Sequence, residues 1–301
     1  MRRFVFSAFL ALLAATPALA RPGDSALEDV GFLSSDALQG RGTGTDGSTD
    51  ARLYILGRMR EIGLEPVDQA FTFKRRSGEA ITGTNLMARA RGTAGGGKVI
   101  VMTAHYDHLG VRDGQIYNGA DDNASGVAGL LAVAEGFRAI PPRHDIWIVF
   151  LDAEEMGLQG ARAFLASPPV PRDRIALNIN FDMLSKNAKG ELYAAGGSAN
   201  AWVKRQLDVM TAMGPVILKQ GHDTGPDDSF DNWTYQSDHG VFAKAGIPWV
   251  YFGVEDHPEY HKPTDDFATI PRAFFRDVVD SMVLGAHLFD QKLDTLPETE
   301  K

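Results

Sequence analysis

Residues 145–155 read DIWIVFLDAEE, an almost wholly apolar run that is followed at once by carboxylates. The run from Asp145 to Leu151 predicts a strand that is buried on both faces, as is typical of a parallel sheet covered by helices. The carboxylates after it predict polar chemistry at the carboxyl end of that strand, where open α/β sheets bind their ligands. This stretch therefore indicates both the fold class and the position of a functional site.

The rest of the chain continues this alternation of strands and helices. Further strands are predicted over residues 71–73, 85–91, 98–104, 175–181, 216–219 and 248–252, and helices over 27–38, 50–62, 126–138, 158–166, 199–213, 240–245 and 271–288. We expect the strands at 85–91 and 98–104 to form a hairpin. The whole pattern predicts an α/β fold, a three-layer α/β/α sandwich with a mixed, mainly parallel central sheet.

The composition excludes several classes of protein. The chain has 301 residues, a hydrophobic share of 44%, a formal net charge of −9 and no cysteine. An acidic excess is unusual for a nucleic-acid binder, so we expect no nucleic-acid partner. Because cysteine is missing, thiolate zinc sites, iron–sulfur clusters and a cysteine nucleophile are excluded. A metal site in this chain must use His, Asp and Glu.

The first twenty residues are typical of a signal peptide. Arg2 and Arg3 precede an apolar run that is too short for a bilayer span of roughly 20 residues, and residues 18–20 form a small-x-small cleavage pattern. We expect Sec-type export to the periplasm or the cell exterior. After cleavage we expect no stable membrane anchor, and the oligomeric state is left open.

Metal-type side chains follow four of the predicted strands, and two more lie in a turn before a helix. They are His105 and Asp107, Glu154 and Glu155, Asp182, His257 and His261, with Asp121 and Asp122 in the turn. Each alone fits a capping or surface role. Carboxylates brought together at one sheet edge would repel one another, however, and a divalent cation is the usual remedy.

The number of these groups predicts two metal ions. Two histidines and three carboxylates exceed the needs of one tetrahedral zinc, and they suit two ions about 3.5–4 Å apart that activate a water. We expect Asp121 to bridge the ions because it lies on a tight turn in the middle of the set. Asp107 would hold the second ring nitrogen of His105. One glutamate of the pair 154–155 would bind metal while its neighbour accepts a proton.

Five motifs in order resemble those of the co-catalytic zinc metallopeptidases, a family that includes secreted bacterial leucyl aminopeptidases and glutamate carboxypeptidases. The motifs are HYDH (105–108), GADDNASG (119–126), DAEEMG (152–157), NFDM (180–183) and YHKPTD (260–265). The resemblance begins near Leu33 and covers nearly all of the chain after the signal peptide. The stretch 73–85 is too short for an inserted lid or protease-associated domain, so residues 21–301 are expected to form a single domain.

The resemblance implies two zinc ions, for which Mn²⁺ or Co²⁺ could substitute. The implied ligands are His105 and Asp182 for one zinc, Glu155 and His261 for the other, and Asp121 as the bridge. The peptide bond between Asp121 and Asp122 would be cis. Glu154 would act as general base and then as acid, Asp107 would orient His105, and Tyr260 would donate a hydrogen bond to the oxyanion.

Other residues have less specific roles. His108, His222 and His257 could line the pocket, with His257 the nearest rival to His261, and Ser237-Asp238-His239 would shape its floor. His144 and His287 are expected to be surface or helix residues.

The expected function is that of an exopeptidase acting on peptides or amino-acid amides, with an aminopeptidase favoured. A carboxypeptidase, an amidohydrolase or a glutaminyl cyclase on the same fold, or a non-catalytic metal-binding protein, are the alternatives. The resemblance implies one zinc for the cyclases, so a complete five-ligand set argues against them. Glu154, which the metals do not need, argues against a protein that only binds metal.

Overall fold

The computed structural model describes residues 21–75, 77–95 and 97–297, so the predicted signal peptide lies outside it. The described chain contains an eight-stranded mixed sheet in the order β1-β2-β6-β3-β7-β10-β8-β9 and a separate small hairpin, β4-β5. The strands are β1 Val67–Lys74, β2 Ala80–Ala90, β3 Val99–His105, β4 Gly110–Arg112, β5 Gln115–Tyr117, β6 Asp145–Leu151, β7 Ile175–Phe181, β8 Glu191–Ala195, β9 Ile217–Gln220 and β10 Trp249–Gly253.

Helices cover both faces of the sheet. They are α1 Pro22–Leu33, α2 Asp46–Ile62, α3 Gly126–Ala139, α4 Gln159–Ala166, α5 Ala201–Met213, α6 His239–Lys244 and α7 Arg272–Lys292. The larger apolar core lies between the sheet and helices α1, α2, α3, α5 and α7. A smaller core on the other face joins α4 and α6 through Phe164 and Phe242. The predicted three-layer α/β/α sandwich is confirmed.

The centre of the sheet is parallel. Strand β3 pairs in parallel with β6 on one side and β7 on the other, and β10 pairs in parallel with β7. The carboxyl ends of these four strands therefore meet at one edge. Strand β2 pairs antiparallel with β1 and β6, and β8 pairs antiparallel with β10 but in parallel with β9, which completes a mixed sheet.

The predicted hairpin between residues 85–91 and 98–104 is wrong. Strand β2 pairs antiparallel with β1 and with β6, while β3 lies between β6 and β7. Every residue of β3 is buried, as are five of the seven residues of β6, so both strands require interior places in the sheet. In β1, exposed residues recur along the strand, as suits an edge.

Most helix predictions agree with the structure, with small shifts at the ends. The first helix spans Pro22–Leu33 rather than residues 27–38, and it can begin at Pro22 because proline is tolerated in the first helical turn. Helix α2 ends at Ile62 and is followed by Gly63, whose φ of 90° suits glycine. Strand β8 and the β4-β5 hairpin were not predicted, since their runs of three to five residues carry little periodicity. Among the described residues, no helix is long and apolar enough to cross a bilayer.

Candidate active site

The carboxyl edge of the parallel strands brings the predicted site residues together. Strand β3 ends at His105, β6 is followed by Glu154 and Glu155, and β7 is followed by Asp182. Their side chains line one cavity of about 430 Å³, and the loop after β10 contributes Tyr260 and His261 to it. The register of the sheet therefore collects in one place residues that are far apart in the sequence.

The first of two metal-type groups in this cavity consists of His105, Asp122 and Asp182. The Nε2 atom of His105 lies 3.2 Å from Asp182 Oδ1 and 3.4 Å from Asp122 Oδ1. On the far side of the ring, Nδ1 lies 3.1 Å from the backbone carbonyl of Asp107. Burial would lower the pKa of His105, but the Asp182 carboxylate and its neighbours raise that pKa well above its usual range.

The second group surrounds the other oxygen of Asp122. That oxygen, Oδ2, lies 3.0 Å from His261 Nε2 and 3.6 Å from His108 Nδ1. The Oε1 atom of Glu155 lies 3.5 Å from His261 Nε2 and 2.9 Å from His108 Nδ1. One oxygen of Asp122 thus faces each group, which is the placement of a carboxylate that bridges two ions.

The expected placement of Asp121 as the bridge is not what the structure shows. Its Oδ1 accepts hydrogen bonds from the backbone N–H and the hydroxyl of Ser185, at 2.6 and 2.7 Å, and its Oδ2 lies 3.0 Å from His257 Nε2. The cis peptide bond also lies one residue further on, between Asp122 and Asn123. The two adjacent aspartates point in different directions, and residue type alone cannot distinguish them.

The two histidines of the last loop have different roles. His261 contacts the second group, whereas His257 pairs with Asp121 and with Glu259. Burial would lower the pKa of His257, but its hydrogen bond to Asp121 raises the pKa above the ordinary value. The preference for His261 over His257 as the cavity residue agrees with this geometry. His257 instead contacts Asp121 and so helps to hold the turn at residues 121–122.

A buried carboxylate also fixes the turn that carries Asp122. Asp265 accepts the backbone N–H groups of Asp121 and Asp122, at 3.0 and 3.1 Å. Lys186 Nζ lies 3.2 Å from Asp265 and balances part of its charge. The motif around residues 260–265 therefore contributes both a cavity residue and the anchor of the turn that carries Asp122.

Asp107 acts mainly on the glutamate pair. Its carboxylate accepts the backbone N–H groups of Glu154 and Glu155, at 3.0 and 3.3 Å. The nearest carboxylate oxygen lies 3.7 Å from His105 Nδ1, so the shorter contact to that ring comes from the backbone carbonyl of Asp107. The single residue Asp107 thus connects the end of β3 to the turn after β6.

The two glutamates face different neighbours. Burial raises the pKa of Glu154 well above its usual range, and the nearby carboxylates of Asp238 and Asp182 add to the increase against the opposing effect of His105. Burial would also raise the pKa of Glu155, but the His108 and His261 rings outweigh it and hold that pKa well below its usual range. Glu154 is thus suited to proton transfer and Glu155 to binding a cation.

Tyr260 lies against the second group, with its ring stacked on that of His261 at 4.0 Å between centroids. Burial raises the pKa of its hydroxyl far above the usual range, so the hydroxyl keeps its proton and can donate it in a hydrogen bond. Burial would lower the pKa of His261, but the carboxylates of Asp122 and Glu155 raise that pKa to about 10.

Sequence reasoning placed three residues near the site without giving them their role there: Asp122, His108 and Asp238. The first is the neighbour of a predicted residue, and the second stands three positions after His105 in the same motif. Asp238 is completely buried, and neither of its carboxylate oxygens has a hydrogen-bond partner in the described chain. Burial raises its pKa to about 7. Asp238 belongs to the segment Ser237-Asp238-His239, which the sequence predicts at the floor of the pocket.

The donor atoms fit divalent cations. Both ring nitrogens of His108 and the Oε1 atom of Glu155 are buried, and among the described residues none has a hydrogen-bond partner. Buried polar atoms of this kind are costly unless something binds them. Imidazole and carboxylate donors that converge on two points around Asp122 provide the ligand types that zinc accepts.

Comparison with known sequences supports a peptidase. The model of a family described as Peptidase family M28 matches residues 85–284. An aminopeptidase of Bacillus subtilis is 26% identical over 216 residues, which cover 67% of this chain and 43% of the relative. A vacuolar membrane protease of Schizosaccharomyces pombe is 27% identical over 237 residues, covering 71% of this chain and 26% of the relative. The chain spans less than half the length of these curated relatives.

Solved structures share the fold at low sequence identity. A zinc aminopeptidase from Bacillus subtilis superposes with a TM-score of 0.74 at 16% identity, covering 94% of this chain and 98% of that one. A glutaminyl cyclase from Porphyromonas gingivalis reaches a TM-score of 0.73 at 21% identity, covering 88% and 98%. Because enzymes of both kinds match equally well, the architecture does not choose between their reactions.

Proposed function

This chain belongs to peptidase family M28, and we propose that it is an exported exopeptidase that removes amino-terminal residues from peptides or amino-acid amides with the help of two zinc ions. The observation that carries the proposal is the position of Asp122, with one carboxylate oxygen facing His105 and the other facing His261. The aminopeptidase among the sequence relatives supports the choice of reaction.

The side chains on each side of Asp122 would hold the two ions. His105 and Asp182 would bind one zinc, and Glu155 and His261 would bind the other, with Asp122 shared. When bound, the zinc ions would polarise the scissile carbonyl and lower the pKa of the attacking water. This assignment keeps four of the five ligands expected from the sequence and replaces Asp121 by its neighbour.

Glu154 would move the proton in this reaction. It lines the cavity beside His105 and Asp182, and it belongs to neither of the metal-type groups found in the described chain. Its carboxylate would take a proton from the attacking water and deliver it to the leaving amine. The hydrogen bond from its backbone N–H to Asp107 holds the turn that presents it.

The tetrahedral oxyanion would be stabilised by a hydrogen bond from Tyr260. The Tyr260 ring stacks on His261 and lines the same cavity as Glu154. A donor that is already oriented stabilises developing charge without reorganisation.

A panel of substrates with free and blocked termini tests the reaction. We expect hydrolysis of aminoacyl nitroanilides and of peptides with a free amine, its loss with a chelator, and its return with zinc. Cleavage confined to substrates with a blocked amine and a free carboxylate would replace this proposal with a carboxypeptidase. A zinc-loaded protein that is inert on the whole panel would favour a protein that only binds metal.

A carboxypeptidase is the second candidate because two basic residues, Arg162 and Lys244, line the cavity together with Glu154. A guanidinium or ammonium group at the rim suits a terminal carboxylate. Replacing both with alanine would weaken a carboxypeptidase strongly, whereas an aminopeptidase would lose little.

Export is proposed from the signal-like residues 1–20. The test is sequencing of the mature amino terminus after cell fractionation. We expect a chain that begins at Arg21 in the periplasm or the medium, and an uncut chain in the membrane fraction would contradict export by cleavage.

A further inference from the structure

His108 is an unusual buried residue in the cavity. It is 2% exposed, and neither of its ring nitrogens makes a well-aligned hydrogen bond within the described chain, although Nδ1 is in ion-pair contact with Glu155. His105, its neighbour in the same motif, has its Nδ1 atom close to the backbone carbonyl of Asp107. A buried imidazole whose nitrogens lack well-aligned hydrogen bonds carries a desolvation cost that a bound ligand would reduce.

The ring of His108 faces the second metal-type group. Its Nδ1 atom lies 2.9 Å from Glu155 Oε1 and 3.6 Å from Asp122 Oδ2. The Nε2 atom of His261 faces the same two oxygens, at 3.5 and 3.0 Å. Two imidazole nitrogens and two carboxylate oxygens therefore converge on one place from different sides.

The position of the ring is fixed by the main chain. A Cβ atom on Gly119 would lie 2.5 Å from Cδ2 of His108, so the ring packs directly against this glycine. Gly119 has a φ of 57°, a left-handed backbone conformation that favours glycine over residues with a side chain. The backbone N–H of His108 also donates to the carbonyl of Arg41, at 3.4 Å. The ring is thus held where its nitrogen faces Glu155.

We propose that His108 is a further ligand of the metal position formed by Glu155 and His261, and that this position therefore fills first and holds its ion more tightly. The proposal rests on the proposed function, because it assumes two bound ions. One position would have His105, Asp122 and Asp182, and the other would have His108, Asp122, Glu155 and His261. A second imidazole strengthens binding of late first-row metals.

Stepwise metal binding tests whether the two positions differ in affinity. The full chain after signal cleavage is freed of metal and titrated with Zn²⁺ by calorimetry, and with Co²⁺ by visible absorption. For the wild-type protein we expect two binding steps whose dissociation constants differ by at least about tenfold. The step that saturates first should give the cobalt spectrum of the position that is richer in nitrogen.

His108→Phe is the informative variant because it keeps an aromatic ring against Gly119 and removes both nitrogens. We expect the tighter step to weaken on the order of 10- to 100-fold, the cobalt bands of that step to shift, and the two steps to merge. His287→Ala, on helix α7, is the matched control and should leave both steps unchanged. Thermal melting of the metal-free variant checks that it folds, and His108→Gln serves if the phenylalanine variant does not.

The outcomes separate this inference from the proposed function. If the wild-type protein binds two ions and hydrolyses peptides while His108→Phe shows the wild-type isotherm and cobalt spectrum, His108 is not a ligand and the proposed function stands. If the wild-type protein binds no second ion, the proposed di-zinc function fails first. A loss confined to the weaker step would overturn the assignment of His108 to the tighter position.

Discussion

Two clusters of histidine and carboxylate, each around a buried histidine, lie at opposite ends of strand β6, and they are built in opposite ways. At the amino end, His144 Nδ1 lies 3.0 Å from Asp290 Oδ1, and its Nε2 lies 2.9 Å from Asp294 Oδ1. The Asp290 carboxylate also accepts the backbone N–H groups of Arg143 and His144. Each polar atom of this ring has a partner, and the cluster joins the start of β6 to helix α7.

At the carboxyl end the same residue types approach one another without forming well-aligned hydrogen bonds. Both nitrogens of His108 and the Oε1 atom of Glu155 lack such a bond within the described residues, although Oε1 lies 2.9 Å from Nδ1. The difference teaches that residue type alone does not distinguish a structural cluster from a candidate metal site, whereas the geometry of the donor atoms does. It also corrects the expectation for His144, which is buried rather than at the surface, and which lies outside any helix.

The largest effect is expected from Glu154→Gln at the carboxyl end. The variant should keep two bound ions and lose activity by about 100- to 10,000-fold, because the amide cannot accept the proton of the attacking water. Turnover of an aminoacyl nitroanilide and metal analysis measure the two properties. Glu28→Gln, at an exposed position of helix α1, is the control. Near-normal turnover of Glu154→Gln would remove Glu154 from the mechanism.

The next effect separates the two adjacent aspartates. Asp122→Asn should weaken metal binding on the order of 100-fold, since the bridge loses its charge between both groups. Asp121→Asn should weaken it less, because the amide oxygen can still accept from Ser185. Metal content after dialysis against a weak chelator decides between them. The reverse order would restore Asp121 as the bridge.

The paired cluster at the amino end should affect stability alone. His144→Ala leaves the buried Asp290 carboxylate without its imidazole partner, and we expect a loss of about 3 kcal/mol in the free energy of unfolding. Metal content and turnover of the folded variant should stay at the wild-type level. Urea unfolding of the metal-free protein gives the free energy, with His287→Ala as control. Loss of bound metal would show that this cluster is not purely structural.

The smallest effect concerns His239, a buried histidine with a partner for only one of its two ring nitrogens. Its Nε2 atom lies 2.9 Å from the Trp233 carbonyl, while Nδ1 has no partner in the described part of the chain. Burial lowers its pKa to about 4, from an ordinary value of 6.5. The unfolded chain therefore binds the extra proton between pH 4 and 6.5, and stability falls as pH falls through that window.

His239→Phe should remove this pH dependence while keeping the ring between Trp249 and Tyr251. Between pH 7 and pH 5, we expect the metal-free wild-type protein to lose about 2 kcal/mol more than the variant. Urea unfolding at both pH values provides the comparison. Equal losses would mean that His239 is protonated in the folded protein at pH 5.

Much of the fold could be predicted because burial on both faces leaves a strong signal in sequence. Residues 145–151 and 175–181 were predicted with the bounds that the structure shows. The hairpin error arose because adjacency in sequence was taken as adjacency in the sheet, and β6 instead enters between β2 and β3. Pairing of strands depends on contacts between distant segments, which no local pattern contains.

The sequence by itself determined that donor side chains follow buried parallel strands and that, without cysteine, any metal must meet imidazole and carboxylate. Only the tertiary structure decided which aspartate stands between the two groups, and that His108 faces Glu155. The reason is physical: Asp121 is turned away by Ser185, 64 residues further along the chain, and its backbone is held by Asp265, 144 residues away. Neighbouring residues on a turn point in different directions, and distant contacts set those directions.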